Sequence, residues 1–111
     1  METKIRKTIY EWLPEAIVNL DRTTATDYEV IRSVSQYSLS LLQKNNGQKV
    51  IDVFKIINIL YQEEHAYTKH CIENEFICNF IENSPALTLK DYLYDMPSPL
   101  KEAFIKTLIE L

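Results

Sequence analysis

A short polar cluster lies in the second half of the chain, within residues 66–82, which we predict to form one helix. His70 and Asn74 are four residues apart, and Glu73 is three residues after His70. Side chains at these spacings meet on one side of an α-helix. At about 100° per residue, His70 and Asn74 fall inside the apolar face of that helix, and Glu73 falls at its border. The three side chains therefore form either a small binding pocket or a buried hydrogen-bond network that fixes the register of a neighbouring helix.

The same projection predicts how much individual side chains contribute to stability. If Asn74 is buried and bonded to a neighbouring helix, Asn74→Leu should lower the free energy of unfolding by roughly 1–3 kcal/mol. Glu75 and Glu82 project towards water, so replacing either by alanine should cost no more than about 0.5 kcal/mol.

Acidic residues are concentrated in the same part of the chain. Residues 62–82 hold five glutamates and one lysine, and the net charge of the whole chain is −4. The predicted acidic face consists of Glu63, Glu64, Glu75 and Glu82. Such a face argues against nucleic-acid binding and favours a basic protein partner, although charge that only solubilises a helix produces the same pattern.

The chain has no pattern that is specific to catalysis, metal binding or cofactor binding. It lacks Cys-x-x-Cys and His-Glu-x-x-His motifs, a Gly-rich phosphate loop and a Gly-x-Ser-x-Gly elbow. Cys71 is adjacent to His70, and neighbouring helical side chains diverge by about 100°, so the two do not form a nucleophile and base. Cys71 and Cys78 are separated by about 10 Å along a helix, beyond disulfide reach. We expect no metal, no cofactor and two reduced thiols, while enzyme activity stays open without a motif in its favour.

The element that positions the polar cluster is the apolar stretch Val50–Tyr61. Nine of its twelve residues are apolar, and the exceptions are Asp52, Lys55 and Asn58. Their i, i+3, i+6 spacing makes one narrow stripe on a helix that is otherwise buried. The valines and isoleucines also favour a strand, but twelve residues without a turn signal suit a helix. We predict a central buried helix and keep the strand as the alternative.

Two signals organise the first half of the chain. Pro14 predicts a kink or short break in a first helical segment over residues 4–20, which Trp12 would anchor on the core. Thr26 and Glu29 have the spacing of a capping box and predict the start of a second helix. That helix should run to about residue 44 and end at Asn45, Asn46 and Gly47, which tolerate the left-handed conformation common at helix ends.

Two further boundaries are predicted in the second half. Residues 63–66 should form a tight turn between the central helix and an antiparallel neighbour. Because they contain neither glycine nor proline, one bent continuous helix is the alternative. Ser98 followed by Pro99 predicts the N-cap and first position of the last helix.

Composition and length define the fold class. A single glycine in 111 residues argues against sandwiches, barrels and βαβ units. We predict one all-α domain over residues 1–111, an irregular antiparallel bundle of five or six helices with no β-sheet and about 65–75% of its residues helical. No apolar run approaches the ~20 residues of a membrane span, and the charged start METKIRKTIYEW does not resemble a signal peptide. We therefore expect a cytoplasmic protein.

Part of the sequence resembles small bacterial all-helical domains of uncharacterised function. The resemblance lies in Ile72-Glu73-Asn74-x-Phe76-Ile77 through Phe80-Ile81-Glu82 and in Leu93-Tyr94-Asp95-Met96-Pro97. In size, acidity and helicity the chain is also similar to immunity proteins of bacterial toxin systems. This second resemblance implies a binder that occludes the active site of a toxin, and it assigns no toxin-binding residue.

Two functions follow from these observations. The first is a non-catalytic protein-interaction module, immunity-like, that binds a basic partner through its acidic face. The alternative is a small-molecule-binding protein or minor enzyme with a pocket around His70, Glu73 and Asn74. A cavity open to solvent at these residues would favour the alternative, and a closed, dry core would favour the interaction module.

Overall fold

The chain is helical through most of the residues that the structure describes. The computed structural model describes residues 3–63, 65–84 and 86–110, with the backbone alone for residues 86–88. Its helices are α1 (Lys4–Trp12), a 3-10 turn (Pro14–Ile17), α2 (Asp27–Gln43), α3 (Gly47–Tyr61), α4 (Ala66–Ile72), the π segment (Glu73–Cys78), α5 (Asn79–Asn83), α6 (Ala86–Leu93) and α7 (Leu100–Glu110). About 77% of the described residues are helical and none lies in a strand, which confirms the all-α prediction at a slightly higher helix content. None of the described helices is long and apolar enough to cross a membrane.

Helix α3 is the predicted apolar element, and it is a helix rather than a strand. Val50, Val53, Phe54, Ile57 and Leu60 are fully buried. They contribute to one continuous hydrophobic core that also draws on α1, α2, the π segment and α7. Helix α2 is equally central, because it packs against α1, the 3-10 turn, α3, α4, the π segment and α5.

The predicted boundaries of the first half are confirmed. Helix α1 ends at Trp12, and the 3-10 turn begins at Pro14. At the start of α2, the Thr26 side chain accepts from the backbone N–H of Glu29, and the Glu29 carboxylate accepts from the backbone N–H of Thr26. Asn45 adopts a left-handed φ of 58° after α2. The capping box and the proline therefore act locally, as their sequence patterns indicate.

Trp12 does not anchor the first segment on the core, and that prediction is wrong. Its side chain is 64% exposed, whereas Ile5, Ile9 and Leu13 are buried. These three residues are spaced four apart and form the inward stripe of α1. Trp12 lies beside that stripe and faces solvent.

The second half contains one confirmed boundary and one correction. Helix α3 ends at Tyr61 and α4 begins at Ala66, and the two helices pack against each other as predicted. Helix α7 begins at Leu100, so Ser98 is not its N-cap. The backbone N–H of Leu100 instead donates to Oδ1 of Asn58 at 3.0 Å. A side chain from α3 therefore provides a hydrogen-bond acceptor for one of the backbone N–H groups that have no partner within the first turn of α7.

A buried carboxylate joins the beginnings of three helices. Asp27, the first residue of α2, accepts from the hydroxyl of Thr3 at 2.6 Å and from the hydroxyl of Tyr67 at 2.7 Å. Thr3 is the N-cap of α1, and Tyr67 lies in the first turn of α4. Burial, together with the bond to Asp27, raises the pKa of the Tyr67 hydroxyl. Asp27 therefore fixes α1 and α4 relative to the N-terminus of α2.

Candidate functional site

The segment that carries the predicted polar cluster is helical throughout, but it is not a uniform α-helix. α4, the π segment and α5 follow one another without a break from Ala66 to Asn83. The buried neighbours Cys71 and Ile72 are followed five residues later by the buried neighbours Phe76 and Ile77. A spacing of five is the i→i+5 repeat of a π-helix. Each π turn takes in more residues than an α turn, so successive side chains rotate through a smaller angle.

His70 and Asn74 are exposed, so the prediction that they lie inside the buried face is wrong. A projection at about 100° per residue over-rotates the helix through the π segment, and the face that it identifies is not the face that packs on the core. The observed inward positions of α4 are Thr68, Cys71 and Ile72. Asn74 Nδ2 lies 2.8 Å from Nε2 of His70, so the two side chains bond each other rather than a neighbouring helix.

Glu73 is half-buried and has a partner on α3. Its Oε2 atom accepts from the hydroxyl of Tyr61 at 2.8 Å. Burial raises the pKa of the Tyr61 hydroxyl, and the hydrogen bond to Glu73 raises it further. The ammonium group of Lys69 lies 5.4 Å from the centre of the Tyr61 ring, within cation–π range.

The Tyr61–Glu73 bond predicts how stability responds to alkaline pH. Because the pKa of Tyr61 is higher in the folded chain than the usual value of about 10, its contribution is complete below that pH and declines as the pH rises above it. Tyr61→Phe should lower the free energy of unfolding by about 1 kcal/mol at neutral pH. The free energy of unfolding of this variant should also fall less steeply above pH 10 than that of wild type. Urea unfolding across this range tests both effects. An unchanged alkaline slope in Tyr61→Phe would contradict the assignment.

An open groove lies between α7 and the helical stretch that contains Glu73. Its volume is about 640 Å³. The lining residues are Tyr61, Lys69, Glu73, Asn74, Cys78, Pro99, Glu102, Ala103, Lys106, Thr107 and Glu110. Two of the three predicted pocket residues, Glu73 and Asn74, thus line a cavity that is open to solvent, whereas His70 does not line it.

The groove contains charges of both signs that are not joined to one another. Lys69 and Glu73 lie on the α4 side, and Glu102, Lys106 and Glu110 lie on α7. In the part of the chain that the structure describes, none of these five takes part in an ion pair. The groove can therefore offer carboxylates and ammonium groups to a ligand without first breaking a salt bridge.

The residues of the predicted acidic face differ in their surroundings. Glu63 forms an ion pair with Lys4. Glu75 binds Arg32 through two hydrogen bonds, of 2.8 and 3.1 Å, and its side chain is only 15% exposed. The bond to Glu75 raises the pKa of the Arg32 guanidinium. Glu82 is exposed, and Glu64 lies outside the described residues. The expectation that Glu75 faces water is wrong. Of the four carboxylates of the predicted acidic face, those of Glu63 and Glu75 are already neutralised by cations of the same chain.

The Arg32–Glu75 pair should make a small, salt-sensitive contribution to stability. Its bidentate geometry is favourable, but the Arg32 side chain is 57% exposed. A double-mutant cycle with Arg32→Ala and Glu75→Ala should give a small favourable coupling free energy. The coupling should shrink at high salt. Glu82→Ala is the control, since the described hydrogen bonds and ion pairs do not involve it, and a coupling near zero would show that the bridge does not form in solution.

The two cysteines are free, and their surroundings do not activate them. Cys71 is buried, and burial raises the pKa of its thiol to about 12. Cys78 is half-buried at the edge of the groove, and burial also raises the pKa of its thiol. A raised pKa keeps a thiol protonated at neutral pH and lowers its nucleophilicity. Among the described residues there is no group of three or more His, Cys, Asp and Glu that could hold a metal ion.

Helix α7 exposes apolar side chains beside the groove, and the sequence analysis did not identify them. Ile105 is 40% exposed, Leu108 38% and Ile109 80%. A shallow hollow of about 300 Å³ on this side of α7 shares Glu102, Lys106 and Glu110 with the groove. The signal was available in the sequence, because LKEAFIKTLIE contains more apolar residues than one inward stripe requires. Of the apolar residues of α7, only Leu100, Ala103 and Phe104 are buried.

Comparison with known proteins gives a family. No curated protein and no solved structure matches the chain. A family model described as a domain of unknown function, DUF7674, matches residues 6–110. This match takes in every helix from α2 to α7 and all but the first two residues of α1. The chain therefore belongs to the DUF7674 family of domains of unknown function.

Proposed function

We propose that this domain is a non-catalytic protein-interaction module that binds its partner through α7. The binding surface, called here the α7 surface, consists of Ile105, Leu108 and Ile109 together with the adjoining groove. The observation that carries the proposal is the exposure of these three apolar side chains within two turns of one helix. Contiguous apolar surface bordered by polar residues is typical of protein–protein contact sites.

The surroundings of the apolar residues support an interface. Glu102, Lys106 and Glu110 border the shallow hollow, so the surface has an apolar centre and a charged edge. The other large exposed apolar side chains among the described residues lie on separate elements: Trp12 on α1, Val18 after the 3-10 turn, Ile59 on α3, Tyr67 on α4 and Tyr94 after α6. Scattered residues of that kind are ordinary on a protein surface.

We extend the proposal to an immunity-like role, in which a bacterial, cytoplasmic domain occludes the active site of a toxin. The small size, the all-helical fold and the net charge of −4 support this role. Because Glu63 and Glu75 are already paired within the chain, we place the contact with a basic partner on the α7 surface rather than on the predicted acidic face.

The test is to co-express the chain with the products of the genes that neighbour its own and to purify any complex. Wild type should bind one of these proteins, and isothermal titration calorimetry should show weaker binding at high salt. Ile109→Ser should weaken the complex by about tenfold or more, since it removes one buried aliphatic side chain from the interface.

Val18→Ser is the matched control. It removes an equally exposed aliphatic side chain, 74% exposed, that lies away from α7, and it should leave the affinity unchanged. A complex that tolerates both Ile105→Ser and Ile109→Ser would show that the partner binds elsewhere.

The groove is a cavity open to solvent at Glu73 and Asn74, although His70 does not line it, so it meets in part the condition that favours the alternative function, binding of a small polar molecule. Its volume of about 640 Å³ lies within the usual range of ligand sites, and Glu73, Asn74 and Lys69 supply converging polar groups. A thermal-shift screen of amines, carboxylates and zwitterionic metabolites tests this function. A true ligand should raise the melting temperature of wild type and of Ile109→Ser but not of Glu73→Gln. Binding through the α7 surface predicts sensitivity to Ile109→Ser instead.

A further inference from the structure

Resting on the proposed function, we infer that the segment docking on the α7 surface is a basic amphipathic helix of the partner protein. Its apolar residues cover Ile105, Leu108 and Ile109, and one of its lysine or arginine side chains enters the groove. This inference goes beyond the existence of an interface, because it specifies the secondary structure and charge of what binds there. Two properties of the surface carry it, the spacing of the apolar residues and the balance of charge around them.

The apolar residues have the spacing that a second helix matches. Ile105, Leu108 and Ile109 are at i, i+3 and i+4 on an eleven-residue helix, so they form a ridge along one side of α7. Ridges of this kind pack against grooves between the side chains of another helix. Recognition of amphipathic helices through anchors at these spacings is a recurrent mode of protein binding. A partner helix therefore covers all three residues without any change in the backbone of α7.

The charges that border the ridge favour a cation. Glu102 and Glu110 are eight residues apart, about 12 Å along α7, and Lys106 lies midway between them. One ammonium group cannot neutralise both carboxylates at that distance, and none of the three takes part in an ion pair among the described residues.

The opposite wall of the groove supplies the third carboxylate. Glu73 accepts one hydrogen bond, from Tyr61, and Lys69 lies over the Tyr61 ring. The groove thus holds three carboxylates against two ammonium groups. A guanidinium or ammonium group from the partner balances this charge, whereas a carboxylate would add to the excess.

The experiment uses two synthetic helical peptides with the full chain. Both have leucines at i, i+3, i+4 and i+7; one has lysines beside them, and the other has glutamates at the same positions. Fluorescence anisotropy should show at least about tenfold tighter binding of the lysine peptide at low salt, with a smaller difference at high salt. Ile109→Ser should weaken binding of both peptides.

Charge-reversal variants separate local recognition from general attraction. Glu102→Lys and Glu110→Lys should each weaken binding of the lysine peptide by several-fold, whereas Glu11→Lys should leave its binding unchanged. Glu11 is the matched control because it is an exposed glutamate on α1, away from the groove. An equal effect of Glu11→Lys would attribute binding to net charge and overturn the inference.

The remaining outcomes distinguish this inference from the proposed function. Equal binding of both peptides, with sensitivity to Ile109→Ser, would overturn the basic character of the partner and leave the α7 surface standing. Binding of neither peptide would overturn the helical partner, and the complex with a neighbouring gene product would still test the surface. Peptide binding that is unaffected by Ile109→Ser would contradict both.

Discussion

Replacing Phe54 by alanine is expected to lower the free energy of unfolding by about 3–5 kcal/mol, the largest loss from any single truncation that we consider. Phe54 is fully buried in α3. The centre of its ring lies 6.0 Å from the ring centre of Phe76, 5.4 Å from that of Phe80 and 5.9 Å from that of Phe104, each in an edge-to-face arrangement. Truncation removes all three contacts and leaves a cavity where the π segment, α5 and α7 meet α3.

Urea unfolding measures this loss, and Ile59→Ala provides the control. Ile59 lies on the same helix but is 56% exposed, so its truncation should cost no more than about 0.5 kcal/mol. If Phe54→Ala does not fold, Phe54→Leu leaves a smaller cavity and gives a measurable loss. A change in Phe54→Ala as small as that in Ile59→Ala would mean that the aromatic cluster does not form the centre of the core.

Local signals were sufficient to predict most helix boundaries. The capping box at Thr26 and Glu29 begins α2, and Pro14 ends the first helix, because each acts through backbone groups within a few residues. The apolar stretch that became α3 was long enough to distinguish a helix from a strand. These features depend on neighbouring residues in sequence, and a single sequence contains them completely.

The orientation of the polar cluster could not be predicted, because Asn74 lies within the π segment and the exposure of His70 depends on which apolar face of the stretch packs on the core. Besides the spacing of four shared by the buried residues Ile72, Phe76 and Phe80, the inward side of this stretch changes to a spacing of five between Cys71–Ile72 and Phe76–Ile77. No local pattern marks that change. The uniform projection turned His70 and Asn74 inwards and Glu75 outwards, whereas the structure has the first two exposed and Glu75 half-buried against Arg32. The predicted pocket survives in part, since Glu73 and Asn74 line the groove through a different face of the helix.

The candidate surface was missed because an amphipathic pattern does not distinguish a core face from a binding face. Helix α7 carries apolar residues on two sides, and only the side with Leu100, Ala103 and Phe104 packs on the core. A sequence-based analysis assigns all apolar residues to the core by default. Exposure of Ile105 and Ile109 becomes informative only when the neighbours of α7 are known, and the same is true of Trp12 on α1.

The start of α7 depends on one buried side chain, which gives the second large prediction. Asn58 is 6% exposed, and its Oδ1 accepts from the backbone N–H of Leu100, itself fully buried. Asn58→Leu keeps a side chain of similar size but removes the acceptor, so that N–H is left buried without a partner. We expect a loss of about 1–3 kcal/mol in the free energy of unfolding.

Asn74→Leu is the matched control, because it makes the same chemical change at an exposed asparagine and should cost no more than about 0.5 kcal/mol. This order is the reverse of what the uniform helical projection predicts for Asn74. Hydrogen exchange should also show faster opening of the first turn of α7 in Asn58→Leu. Since α7 carries Ile105, Leu108 and Ile109, a loosened first turn links the stability of the core to the geometry of the proposed binding surface. Equal losses in the two leucine variants would show that the Asn58–Leu100 bond does not position α7.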